Sequence, residues 1–196
     1  MAASVAPGLE TIRQLGSHVG KHVVFGYDRY LLPELDTYTQ MLAAFGLPFP
    51  AVDSSELHYL SSAERVCTRV RGRLDAIGVL ICSTGMGMSI AANKFRGVYA
   101  ARCLTVDDAV MSRVINNANV LCLASKTGVE VNQDIVTAFM TTPYEGRKLE
   151  QLEAIASLGL EHEPLLPPPV HARARHAVGG AAPAQVVAVL RSSRRD

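Results

Sequence analysis

The stretch AIGVLICSTGMGMSIAANKF, residues 76–95, constrains this chain more than any other part of it. Ala76 to Ile81 are six apolar or small residues in a row, the mark of a strand buried on both faces. Such a strand belongs to a sheet with helices on each side. Gly85 and Gly87 then break the run, and a helix follows. A strand turning through glycines into a helix aims the turn amides and the orphan amides of the helix start into one small volume. That arrangement suits a negative charge.

Two uses compete for such a turn: a phosphate cradle for a nucleotide, and an oxyanion hole for a reacting substrate. The dinucleotide fingerprint GxGxxG fails, because Gly85-Met86-Gly87 leads to Ile90 where the third glycine would stand. The turn also follows the third predicted strand rather than the first. No GxxxxGK[ST] loop occurs either.

From Lys21 onward, β-branched runs alternate with amphipathic stretches. Strands are expected at 22–26, 48–52, 77–82, 98–103 and 119–124, with crossover helices between them. One helix should run from Pro33 to Gly46. Another should start at Thr105, whose hydroxyl caps it while Asp107 and Asp108 oppose its positive end. Two more are expected over Val129–Met140 and Arg147–Leu158. The fold class is therefore α/β, a Rossmann-like three-layer α/β/α arrangement around a five-stranded parallel sheet.

With 196 residues, 48% of them hydrophobic, the chain has room for one such domain with a full core, and not for two. We place it at 21–160, after an N-terminal extension (1–20) and before a Pro/Arg-rich tail (161–196). The tail holds PLLPPP and five arginines; its QVVAVL segment (185–190) could dock on a neighbour, and its composition otherwise suits a flexible tail. Nineteen basic against 18 acidic residues favour neither nucleic acid nor a membrane surface as a partner. No apolar run approaches the roughly 20 residues of a membrane span, and the first residues lack the order of a secretory signal. A cytoplasmic location is expected. Cys67, Cys82, Cys103 and Cys122 form no CxxC pair, which suits reduced thiols and disfavours structural zinc.

Cys82 ends the third strand at the glycine turn. A cysteine in that place is ordinarily a core hydrophobe, unless amides and cations around it favour the thiolate. Its surroundings carry a resemblance. ICSTGMGMSIAANKFRGVYAA (81–101) closely resembles the central signature of the ribose-5-phosphate isomerase B and galactose-6-phosphate isomerase subunit family. The similarity continues through MSRVINNANVLCLASK (111–126) and IVTAFMTTPYEGRK (135–148), and more weakly through VVFGYDRY (23–30).

The resemblance implies an aldose–ketose isomerase for a small-molecule sugar phosphate, working through a cis-enediolate without metal or other cofactor. Cys82 matches the base of one family branch; the other branch has a glutamate where Met88 stands. The amides around Ser83, Thr84, Gly85, Met86 and Gly87 match the anion hole, and Thr84 a threonine that relays or binds near the sugar hydroxyls. Asp28, Tyr59 and Asn116 match substrate-binding positions. Lys126, where an arginine is usual, and Arg147 match phosphate-binding cations. Arg29 replaces a histidine beside the first strand and could add to them. The family also implies a homodimer or homotetramer with the site between subunits.

Ile115 departs most from the family, standing where a histidine assists ring opening, and isoleucine moves no proton. Ser83 replaces a glycine, Tyr99 an arginine, and a second arginine after Arg147 is absent. A tetrose 4-phosphate needs no such histidine, since the oxygen that would close a five-membered ring carries its phosphate. A tetrose or another non-ribose sugar phosphate is therefore expected as substrate. The alternative is a catalytically inactive or regulatory subunit, since galactose-6-phosphate isomerase pairs two unlike chains of this fold.

Overall fold

The computed structural model describes residues 9–45, 48–50 and 58–158, with the backbone alone for 48–50. The chain divides into two units, Met1–Leu158 and Gly159–Asp196, and every described residue belongs to the first. The expected tail, with QVVAVL, lies outside the described residues, as do the proposed helix stop at Gly46 and the last residues of the second strand.

Five parallel strands form one sheet: β1 (His22–Tyr27), β2 (Pro48–Pro50), β3 (Ala76–Cys82), β4 (Ala100–Arg102) and β5 (Val120–Ala124), in the order β2-β1-β3-β5-β4. Four are described with their side chains. The chain moves outward from β1 to β2 and then returns to the other side of β1 for β3. The crevice above the C-terminal ends of β1 and β3 is thus a topological switch point, where open α/β sheets bind ligands. Among the described residues, no helix is long and apolar enough to cross a membrane.

Alternation along β3 sorts the core into two layers. Ile77, Val79 and Ile81 face one cluster, with Tyr38 and Leu42 of α2 (Leu35–Ala43), Ala109 of α5 (Val106–Val114), and Ile135, Val136, Phe139 and Met140 of α6 (Val129–Thr141). Leu80 and Cys82 face the other, with Ala63, Val66, Cys67 and Val70 of α3 (Tyr59–Val70) and Met88 and Ala92 of α4 (Met86–Ala92). The second layer carries the glycine turn, and its closeness is set by two glycines. A Cβ on Gly26 would stand 2.7 Å from Val66 Cγ2, and one on Gly78 2.7 Å from Val66 Cγ1. Val66 therefore sits directly on the backbone of β1 and β3, and α3 rides lower on the sheet than any side chain there would permit.

The Thr105 helix start is a complete capping box: Asp108 N–H donates to Thr105 Oγ (3.1 Å), and Thr105 N–H to the Asp108 carboxylate (3.0 Å). Pro33 falls inside a 3-10 turn over Arg29–Glu34 instead of opening α2, because the Asp28 carboxylate accepts from Tyr30 N–H and starts the turn earlier. The fourth strand is shorter than expected. The Asn93 side-chain amide pairs with both backbone groups of Ala100, at 2.9 Å each, and Asn119 takes the Tyr99 N–H at 2.8 Å. Side chains thus serve these backbone groups of β4 in place of a neighbouring strand. The last helix, α7 (Leu149–Ser157), begins two residues later than expected, after Lys148 in the left-handed region.

Residues 9–20 pack onto this body. Ile12 of α1 (Leu9–Arg13) is buried with Tyr144 and Leu152, and Gly16 pairs with Tyr144. The Arg113 guanidinium, buried, donates to Ala118 O (2.7 Å), Asn117 Oδ1 (2.8 Å) and Gly16 O (3.0 Å). Asn117 Nδ2 in turn donates to Ile12 O (2.7 Å) and Gln14 O (3.0 Å). Burial lowers the pKa of Arg113 to about 10, and its carbonyl partners hold the cation in place of a carboxylate.

The seating of Val66 gives a direct test. Gly78→Ala should destabilise the fold by about 1–3 kcal/mol through overpacking, and Val66→Ala in the same chain should recover part of the loss. Urea unfolding of the single and double variants measures this; additive losses would contradict it.

Candidate active site

The C-terminal edge of the sheet is where β1, β3 and β5 release their chain ends together. Tyr27 pairs with Ile81, and Cys82 with Ala124. Asp28 N–H still donates to Ile81 O (3.3 Å), so Asp28 leaves β1 beside the end of β3. Cys82 is the last residue of β3 and is buried. The other three thiols are core groups. Burial raises Cys67 and Cys103 to about 12 and pushes Cys122 well above the ordinary thiol range.

After Cys82 the chain turns through Ser83 and Thr84 to Gly85, which caps α4 in the left-handed region at φ 69°. Gly85 is required twice over. Its φ is strained for any residue with a Cβ, and that Cβ would lie 2.9 Å from Leu123 O of β5. The turn thus lies against β5. Two contacts hold the turn from outside, Arg102 Nε–H donating to Thr84 O (2.7 Å) and Lys126 N–H to Ser83 O (3.4 Å), and one from within, Met86 N–H donating to Thr84 Oγ (3.4 Å). Met86 is exposed at the surface, whereas Met88 is fully buried beside Cys82 in the core.

Two further elements close around the turn. The Asp28 carboxylate accepts from Tyr30 N–H (3.0 Å) and lies near the Ser83 amide. Burial raises its pKa, against the Tyr30 amide, the Arg29 charge, the Ser83 amide and His58. Arg29 lies outside, with its guanidinium 5.2 Å from the centre of the Tyr30 ring. On the other side the Tyr59 ring covers Gly87, where a Cβ would come within 2.9 Å of Tyr59 Cε2.

Cys82, Ser83, Thr84, Gly85, Met86, Gly87, Asp28, Arg29, Tyr59 and Lys126 therefore gather at one edge. Asn116 and Arg147 do not. Asn116 follows α5 and precedes β5, whose Val120 pairs with Gly78, four residues before Cys82. That places it more than about 13 Å along the strands from the thiol. Arg147 follows the far end of α6, where Tyr144 pairs with Gly16 ahead of β1. Ile115 shares the far edge with them. Arg102, which bonds the turn, and His58, whose ring packs on Tyr59, had no signal in the motif, because each comes from another part of the chain. Among the described residues, no group of three or more His, Cys, Asp or Glu side chains is placed to hold a metal ion.

The fold and this edge define a class: a parallel α/β protein with a strand–turn–helix junction beside a buried thiol, at the switch point of the sheet. The Ribose/Galactose Isomerase family matches residues 22–155, and this chain belongs to that family. Ribose-5-phosphate isomerase B of Escherichia coli is 40% identical over 107 residues, 54% of this chain and 72% of that protein. The D-erythrulose-4-phosphate isomerase of Pectobacterium atrosepticum is 40% identical over 70 residues, 35% of this chain and 46% of that protein. Another match, in Arabidopsis thaliana, spans 40% of the relative's length, so several matched relatives extend well beyond the shared stretch. The solved type B ribose 5-phosphate isomerase of Leishmania infantum superposes with a TM-score of 0.66 at 34% identity, over 74% of this chain and all of that one.

The two constraints on Gly85 can be separated by experiment. Gly72 has a similar φ of 75° with open space around it. Gly72→Ala should cost about 1 kcal/mol for strain, and Gly85→Ala about 1–2 kcal/mol more for the clash with Leu123 O. Thermal unfolding measures both; equal losses would contradict the close approach of the turn to β5.

Proposed function

We propose that this chain is an aldose–ketose isomerase for a sugar phosphate, with Cys82 as its base. The observation that carries the reading is the convergence of Cys82, the Ser83–Gly87 turn and Asp28 on one edge of the sheet. The Cys82 thiolate removes the proton from the carbon next to the carbonyl. The electrons of that C–H bond form the enediolate double bond, and the negative charge moves onto oxygen, where the turn amides receive it. Cys82 then returns the proton to the adjacent carbon, while the hydroxyl proton passes from the second oxygen to the former carbonyl oxygen, relayed by the Thr84 hydroxyl. Met88, buried and apolar, supplies no second base in the motif.

In this reading Thr84 and Asp28 bind sugar hydroxyls, Tyr59 walls the crevice, and Lys126 meets the phosphate. Asn116 and Arg147 act from a second copy of the chain, since their own edge faces away from Cys82. The working form is then at least a dimer. A tetrose phosphate is the preferred substrate. Ile115 offers no help in opening a ring, and the named D-erythrulose-4-phosphate isomerase among the relatives shows that the family includes four-carbon chemistry.

Purified protein should interconvert tetrose 4-phosphates with a kcat/KM at least about tenfold above that for ribose 5-phosphate. Cys82→Ala should lower kcat by about 10²–10⁴-fold, the contribution of a positioned base. Full activity in that variant would overturn the base, and turnover of ribose 5-phosphate with inert tetroses would overturn the substrate.

A further inference from the structure

We propose that His58 is a catalytic residue of this site, donating a hydrogen bond from Nε2–H to the sugar carbonyl oxygen as charge develops there. The inference rests on the isomerase reading above. An enediolate has two oxygens, and the Ser83–Gly87 amides form a pocket for one; the other needs a donor of its own. Among the described residues, His58 is the histidine on the Cys82 edge. His18 bonds Ala118 O, ahead of β5, and His22 opens β1, so both stand on the far edge.

Three contacts fix His58 in place. Its carbonyl accepts from Ser62 N–H at 3.0 Å, and the Ser62 hydroxyl donates to Tyr27 O at the end of β1. The start of α3 is thereby tied to the strand that delivers Asp28, and His58 is close enough to act electrostatically on the Asp28 carboxylate. Its ring also stands 4.7 Å, centre to centre, from that of Tyr59, which covers Gly87 in the first turn of α4. His58 thus precedes a helix tied to the end of β1, is exposed, and packs on the ring that covers Gly87.

Its chemistry is set by the helix it caps. Leu60 N–H donates to His58 Nδ1 at 3.3 Å, with His58 in extended backbone as an N-cap. A ring nitrogen that accepts carries no proton, so the donor of the ring is Nε2–H. An imidazole fixed this way at a helix start offers that N–H to a carbonyl oxygen. The proton inventory of the reaction is unchanged: Cys82 moves the carbon-bound proton, the hydroxyl proton passes between the two sugar oxygens by way of Thr84, and His58 retains its own.

The cap supplies a clean variant. In His58→Asn the side-chain oxygen replaces Nδ1 as the acceptor for α3, and the Nε2 donor is lost. We expect His58→Asn to keep the wild-type melting temperature and to lose about 10²-fold in kcat, the effect of removing one oxyanion donor. The loss should be equal for tetrose and pentose phosphates. His58→Gln, which restores an N–H at the distance of Nε2, should recover part of it. A kcat within threefold of wild type in His58→Asn would overturn the assignment. So would a loss confined to ribose 5-phosphate, which would mark ring opening instead. A wild-type chain inert on every sugar phosphate would overturn the isomerase reading itself, and this assignment with it.

Discussion

Val66 resting on the bare backbone of Gly26 and Gly78 is the contact on which the site depends. It seats α3 directly on β1 and β3, and through that seating the N-terminus of α3 comes level with the ends of both strands. Tyr59 can then cover Gly87, and Ser62 can reach Tyr27 O. A second close approach, Gly85 against Leu123 O, sets the turn on β5 in the same way. Three glycines in β1, β3 and the turn thus position four elements around one crevice. Close packing, more than polar bonding, fixes the geometry of the site.

Polar bonding has its weight at the other edge. Arg113 and Asn117 stitch residues 11–16 to the end of α5, and Tyr144 joins the same segment to the chain after α6. That bracing orders the far edge, on which Ile115, Asn116 and Arg147 stand. One chain thus presents a thiol, an anion turn and an acid at one edge, and an amide and a cation at the other. Two copies related by a two-fold axis across the site would complete each other, with residue i of one serving residue j of its partner and the reverse.

Much of this was legible in the sequence where local physics decides. The continuous apolar run before Cys82 gave a strand buried on both faces, and Thr105 with Asp108 gave a capping box. Boundaries slipped where a side chain outside the element intervened. Asn93 and Asn119 shorten the fourth strand, and the Asp28 carboxylate starts a 3-10 turn before Pro33. The candidate site was legible as a motif and incomplete as a place. Cys82 to Gly87 are contiguous, so the sequence carries their juxtaposition directly. Arg102 reaches the turn from β4, His58 caps the helix whose Tyr59 covers Gly87, and Asn116 and Arg147 stand on the far edge, because chain topology decides those positions and local pattern does not.

If Cys82 carries a proton between two carbons of a sugar phosphate, proton NMR in D2O will show it, following erythrose 4-phosphate with the wild-type protein and with Cys82→Ala. Deuterium should enter the carbon next to the carbonyl with the wild type and fail to enter with the variant. Exchange that continues in Cys82→Ala, or isomerisation without any solvent deuterium incorporation and without dependence on Cys82, would contradict it.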